Sequence, residues 1–110
     1  MKFIYLISLC ITIVSATTIK VQMDSTKSNG LPWDAYNGSP DIYIKVDGKS
    51  YRSERCQNSF TCEFDVGYIG NSPLSIEVWD ADVAKDDFAG SVFCTSGKIC
   101  RAESATVVIY

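Results

Sequence analysis

The chain has 110 residues, 46% of them hydrophobic and 21% charged, which is globular composition and enough for one domain. It contains no histidine, so every mechanism that needs imidazole as base, acid or metal ligand is excluded. Ten basic against 13 acidic residues give a formal charge of −3, the wrong sign for a nucleic-acid surface, and no nucleic-acid partner is expected.

At the N-terminus Lys2 precedes an apolar run, Phe3 to Val14, which ends in Val14-Ser15-Ala16 with small residues where a signal peptidase cuts. This pattern predicts a secretory signal peptide over residues 1–16, and the run is shorter than the ~20 apolar residues of a membrane span. A secreted, extracellular single domain over residues 17–110 is therefore expected. Cleavage removes Cys10 and leaves an even set, Cys56, Cys62, Cys94 and Cys100, as suits an oxidising compartment. Of the three pairings open to them, equal spacing favours Cys56–Cys62 and Cys94–Cys100, each with room for a hairpin between. Loops this short contribute roughly 2 kcal/mol apiece in the chain-entropy model. The spacings do not match the close pairs of a structural zinc site.

Thr18 to Met23 alternates polar and apolar residues, the period of a half-buried strand. A long loop follows from Asp24 to Pro40, punctuated by Asn29-Gly30 and Asn37-Gly38, and loops of that length are often functional. It holds a glycosylation sequon at Asn37-Gly38-Ser39, weakened by Pro40. Asp41 to Asp47 alternates again. Asp47-Gly48 is a hairpin turn, and Lys49 to Glu54 is the returning strand. Phe60 to Val66, Leu74 to Trp79, Gly90 to Thr95 and Thr106 to Tyr110 complete about seven to eight short strands. No segment has a sustained helical period. The predicted fold is an all-β, antiparallel β-sandwich with two disulfides.

The acids are unevenly placed. Asp80, Asp82, Asp86 and Asp87 crowd the loop leaving Leu74–Trp79, while Asp34 and Asp41 bracket the end of the first loop. If both loops emerge at one end of the sandwich, these carboxylates converge. Two like charges about 4 Å apart repel by roughly 4 kcal/mol at an effective dielectric near 20, and Lys85 is the only cation close in sequence. A hard divalent cation relieves this, and Ca²⁺ accepts six to eight oxygens in flexible geometry. An EF-hand is excluded, because Ala84 and Lys85 stand where that loop needs Asp/Asn and Gly.

Two blocks carry a resemblance. Leu31-Pro32-Trp33-Asp34, followed by Ser39-Pro40-Asp41-Ile42-Tyr43-Ile44-Lys45-Val46, is similar to the first calcium loop of C2 domains. Pro73-Leu74-Ser75-Ile76-Glu77-Val78-Trp79-Asp80-Ala81-Asp82, followed by Asp86-Asp87-Phe88-Ala89-Gly90, is similar to their third. Within that family of calcium-dependent phospholipid-binding sandwiches, the chain most resembles the C-terminal C2 domain of perforins, with Cys94 and Cys100 where that domain has a pair. The resemblance implies Ca²⁺ ligands Asp34, Asp41, Asp80, Asp82 and Asp87, with Asp86 as a sixth. It implies membrane contact through the loop tips, for which Trp33, Tyr36, Val83 and Ala84 are candidates; Phe88 is read as core. The spacing from Asp82 to Asp87 is about one residue short of the family pattern. The Cys56–Cys62 hairpin replaces the family's Asn-Pro-x-Trp segment, and the chain ends early, leaving one edge strand missing or supplied by a partner.

The function so implied is a monomeric module that attaches to anionic phospholipid membranes in the presence of Ca²⁺. A basic strip of Lys45, Lys49, Arg52 and Arg55 is a second place for headgroups. The alternative is a secreted sandwich that offers an exposed sheet edge to a protein partner and uses calcium for stability or not at all. An enzyme is not expected, since no imidazole, no G-x-S-x-G and no free mature cysteine remains to act as base or nucleophile.

Overall fold

Strands of period two have one apolar face each, and two sheets must close on one another to bury those faces. The structure, a computed structural model, describes residues 17–34, 38–67 and 73–110 and shows that closure. Its strands are β1 (Thr18–Met23), β2 (Ile42–Val46), β3 (Lys49–Tyr51), β4 (Thr61–Asp65), β5 (Leu74–Asp80), β6 (Asp87–Cys94), β7 (Ile99–Arg101) and β8 (Ala105–Ile109). One antiparallel sheet has the order β4-β1-β8-β7 and the other β3-β2-β5-β6. The all-β sandwich expected from the sequence is the fold found. Residues 1–16, Tyr36 and Asn37 lie outside the described residues.

The core follows from the alternation. Ile19, Val21 and Met23 of β1 and Val107 and Ile109 of β8 meet Ile44 and Val46 of β2 and Leu74, Ile76 and Val78 of β5. Between β2 and β3 the predicted turn forms with positive φ at both Asp47 (49°) and Gly48 (89°), which suits the twist of the flanking strands. The returning strand is shorter than expected. It ends at Tyr51, because Ser53 caps a single 3-10 turn at Glu54–Cys56 by accepting from Arg55 N.

Both expected cysteine pairs lie at bonding distance, with Cα separations of 5.3 Å for Cys56–Cys62 and 5.9 Å for Cys94–Cys100. Neither encloses a hairpin. Cys56–Cys62 ties the 3-10 turn to β4, and Cys94–Cys100 straps β6 to β7, the edge strands of opposite sheets. β7 has no counterpart among the strands expected from the sequence. With three residues, of which Ile99 and Arg101 are exposed, it carries no alternation to detect.

Gly90 of β6 packs tightly against the turn between β7 and β8. A Cβ there would stand 2.4 Å from Glu103 N, and φ is +138°, so only glycine fits. Next to it the pairing of β5 with β6 shifts register. Val78 pairs with Gly90, whereas Trp79 pairs with Phe88 and Asp80 with Asp87, leaving Ala89 as the extra residue of a β-bulge.

Candidate metal centre

Three strand ends meet at one pole of the sandwich because β5 lies between β2 and β6. The inward alternation of β5, Leu74, Ile76 and Val78, continues to Asp80, which is 2% exposed. Its Oδ1 accepts a hydrogen bond from Asp41 N at 2.8 Å, and Ala81 N donates to Asp41 O at 2.9 Å, fixing the start of β2 beside the end of β5. The bulge does the same for β6. Paired residues share a face, so without the register shift Asp80 would stand opposite Phe88; with it, Asp80 stands opposite Asp87. Carboxylate oxygens of Asp80, Asp82 and Asp87 then lie within 4.8 Å of one another.

The electrostatics match the geometry. Burial, chiefly, pushes the Asp80 carboxyl up to about 7; the donor from Asp41 N opposes this, and the charges of Asp82, Asp87 and Asp41 add to it. Asp82 is also raised, by desolvation first, then by a hydrogen bond shared with Asp87 and by that residue's charge. Lys27, from the first loop, reaches the same cluster with Nζ 2.9 Å from Asp87 Oδ2. Lys85 is the nearer cation in sequence, yet Lys27 makes the ion pair, because the fold of the first loop brings it here.

Asp34 and Asp41 line a cleft of ≈ 760 Å³ with Asp82 and the loop residues Ala81, Val83, Ala84 and Lys85. Gly38 makes room for Asp34, since a Cβ there would stand 2.7 Å from Asp34 Oδ2. One oxygen of Asp41 accepts from Asn58 N at 2.7 Å. Asp86, expected as a sixth ligand, is not among the three carboxylates that cluster. Its Oδ1 accepts from Asp82 N at 2.9 Å and its Oδ2 from the Tyr43 hydroxyl at 2.6 Å, so it braces the loop against β2. Tyr43 is pushed up to about 12 by burial and by Asp86, while Asp86 is held below the usual carboxylate range by Tyr43 first and by Asp82 N. Tyr43 was missed as a site residue, although it stands two positions after Asp41 in the Asp-x-Tyr strand pattern.

Of the candidate membrane contacts, Val83 stands fully in solvent and Ala84 is exposed, both in the β5–β6 loop. Trp33 is corrected: it is 3% exposed, packs into the core, and donates from Nε1 to Asp24 O at 2.7 Å, anchoring the first loop. Phe88 is corrected in the other direction. It is half exposed on the outer face of the sheet, 4.9 Å from the Trp79 ring centroid. Trp79 stacks at 6.2 Å on Tyr43, and Lys45 and Arg52 lie over these two rings at 5.2 and 3.7 Å. Part of the predicted basic strip is thus a cation–aromatic layer.

The donor set is all carboxylate oxygen, with one member buried, and it fits a hard cation such as Ca²⁺ rather than a soft one. The family model for the C2 domain matches residues 8–108. No curated protein and no solved structure matches the chain.

Proposed function

The chain belongs to the C2 domain family, and from that premise we propose that it is a secreted module that binds Ca²⁺ and then attaches to anionic phospholipid. The observation that carries this is the buried Asp80 carboxylate with Asp82 and Asp87 within 4.8 Å. Such a cluster is unfavourable by itself and favourable around a divalent cation. Asp34 and Asp41 lie outside that trio but line a cleft with Asp82, from which first-loop oxygens would complete the coordination. Calcium, when bound, supplies the positive charge that attracts phosphate oxygens. This chain's part is to hold the carboxylates and to present Val83 and Ala84 to the bilayer. An extracellular site needs only weak affinity, ~10⁻⁴–10⁻³ M. Export rests on the signal-peptide pattern of residues 1–16, and the likeness to perforin C-terminal domains on the Trp79–Asp82 motif and the Cys94–Cys100 pair.

Pelleting with phosphatidylserine liposomes tests the proposal. Retention in Ca²⁺ and release in chelator are expected, and the double substitution Asp80→Ala, Asp82→Ala is expected to remove only the calcium-dependent part. Equal retention in both buffers, or none, refutes it. The second reading, an interaction protein, is favoured by Phe93 and Ile99, which stand three-quarters exposed on the edge strands β6 and β7. A melting temperature raised by Ca²⁺ without liposome binding is its signature.

A further inference from the structure

The loop between β1 and β2 carries a cation of its own into the acidic cluster. Lys27 Nζ lies 2.9 Å from Asp87 Oδ2, and both side chains are mostly shielded from solvent. The position is built by the loop. Lys27 N donates to Leu31 O at 2.8 Å and Gly30 N to Lys27 O at 2.9 Å, closing a tight turn in which Gly30 takes φ +84°. Behind the turn Trp33 Nε1 holds Asp24 O, and Asp24 N donates to Ser104 O at 2.9 Å, fastening the loop to the chain that enters β8. The ammonium senses the whole cluster. Its pKa is raised, first by the hydrogen bond to Asp87, against some loss of water, and further by the charges of Asp87, Asp82 and Asp80.

We infer that Lys27 is a tethered counter-ion that occupies Asp87 in the metal-free protein and must be displaced before Ca²⁺ can take that carboxylate, so that Lys27 sets the calcium concentration at which the module responds. The inference rests on the reading of this cluster as a calcium site. Its physical basis is competition. Calcium binds carboxylate oxygens at roughly 2.3–2.6 Å, so an ammonium hydrogen-bonded to the same carboxylate would face a divalent ion a few ångströms away. The repulsion between them disfavours simultaneous occupancy, and the free energy of the Lys27–Asp87 pair is subtracted from that of calcium binding. The same pair neutralises part of the cluster when calcium is absent, which stabilises the empty fold.

Calorimetric titration of the full chain with CaCl₂ at fixed ionic strength, beside thermal unfolding in chelator and in excess Ca²⁺, tests this. Lys27→Met keeps the stem and removes the charge. It is expected to tighten calcium binding about three- to tenfold, the range of a partly shielded ion pair. It is also expected to lower the melting temperature in chelator, with the deficit closing in excess Ca²⁺. Lys27→Arg keeps the charge and is expected to bind like the wild type; Lys27→Gln replaces the Met variant if that does not fold. A folded, uncharged variant with wild-type or weaker calcium affinity overturns the role of Lys27 and leaves the calcium site standing. If neither the wild type nor the variants bind CaCl₂ up to about 10 mM, well above the weakest range of extracellular sites, the calcium reading and this inference both fall.

Discussion

Asp80 is the residue whose replacement is expected to reverse the usual outcome of mutating a buried site. In the metal-free fold its carboxyl is lifted from 3.8 to about 7, chiefly by burial. The folded state therefore holds this proton more tightly than the unfolded chain. Stability from this group is full below the ordinary carboxylate pKa and is lost as pH rises through about 7. Above that, the fold carries an ionised, buried carboxylate at a cost of about 4 kcal/mol, taking 1.36 kcal/mol for each tenfold change in proton affinity. Asp80→Asn keeps the shape and keeps an oxygen to accept from Asp41 N, at 2.8 Å in the wild type. In chelator at pH 8 the variant is expected to be more stable than the wild type by about 2–4 kcal/mol, the lower figure allowing for the amide hydrogens that now need partners. Near pH 4 the two are expected to be equal. Urea unfolding followed by tryptophan fluorescence, with the disulfides intact, measures this, and equal m-values make the midpoints comparable. The same variant is expected to lose stabilisation by Ca²⁺. A variant less stable than the wild type at pH 8, or a gain of the same size at both pH values, would refute the reasoning.

Gly90→Ala is expected to cost about 2–4 kcal/mol in the same assay, since a Cβ collides with the Glu103 backbone at a φ of +138°. Its calcium affinity is expected to fall as well, because the bulge at this residue sets Asp87 opposite Asp80. Trp33→Phe is expected to lose about 1–3 kcal/mol with the hydrogen bond to Asp24 O, while liposome retention in excess Ca²⁺ is unchanged; lost retention in a folded variant would restore Trp33 as a membrane contact. Val83→Ser is expected to weaken retention at least about tenfold, from the loss of roughly 1.5 kcal/mol or more of apolar burial, with the calcium titration unmoved because no charge is added.

The strands with clean alternation were legible in order and nearly in extent, as β1 and β5 show, because a period of two records which side of a strand is buried. β6 begins three residues before the predicted Gly90, since Asp87 and Phe88 pair with Asp80 and Trp79 across the bulge and lack a shared apolar pattern. In the site, Asp80 and Asp82 were legible from their alternation at the end of a strong strand. Asp87 was set ahead of Asp86 only by the family resemblance, because adjacent residues of one type differ only in the face they take, and Tyr43 and the bulge decide that. Trp33 failed as a surface residue because an aromatic in a polar loop looks alike whether it anchors the loop or tips it.

The sequence by itself determined the all-β class, the cysteine partners and the acidic surplus at the end of Leu74–Asp80, all of which are written in local spacing. Only the tertiary structure decided which carboxylates share a face, which one is buried, and that Lys27 rather than Lys85 makes the ion pair with the trio. These depend on register between strands distant in sequence and on where a long loop lands, and electrostatic energy varies with those separations in space rather than with separation along the chain.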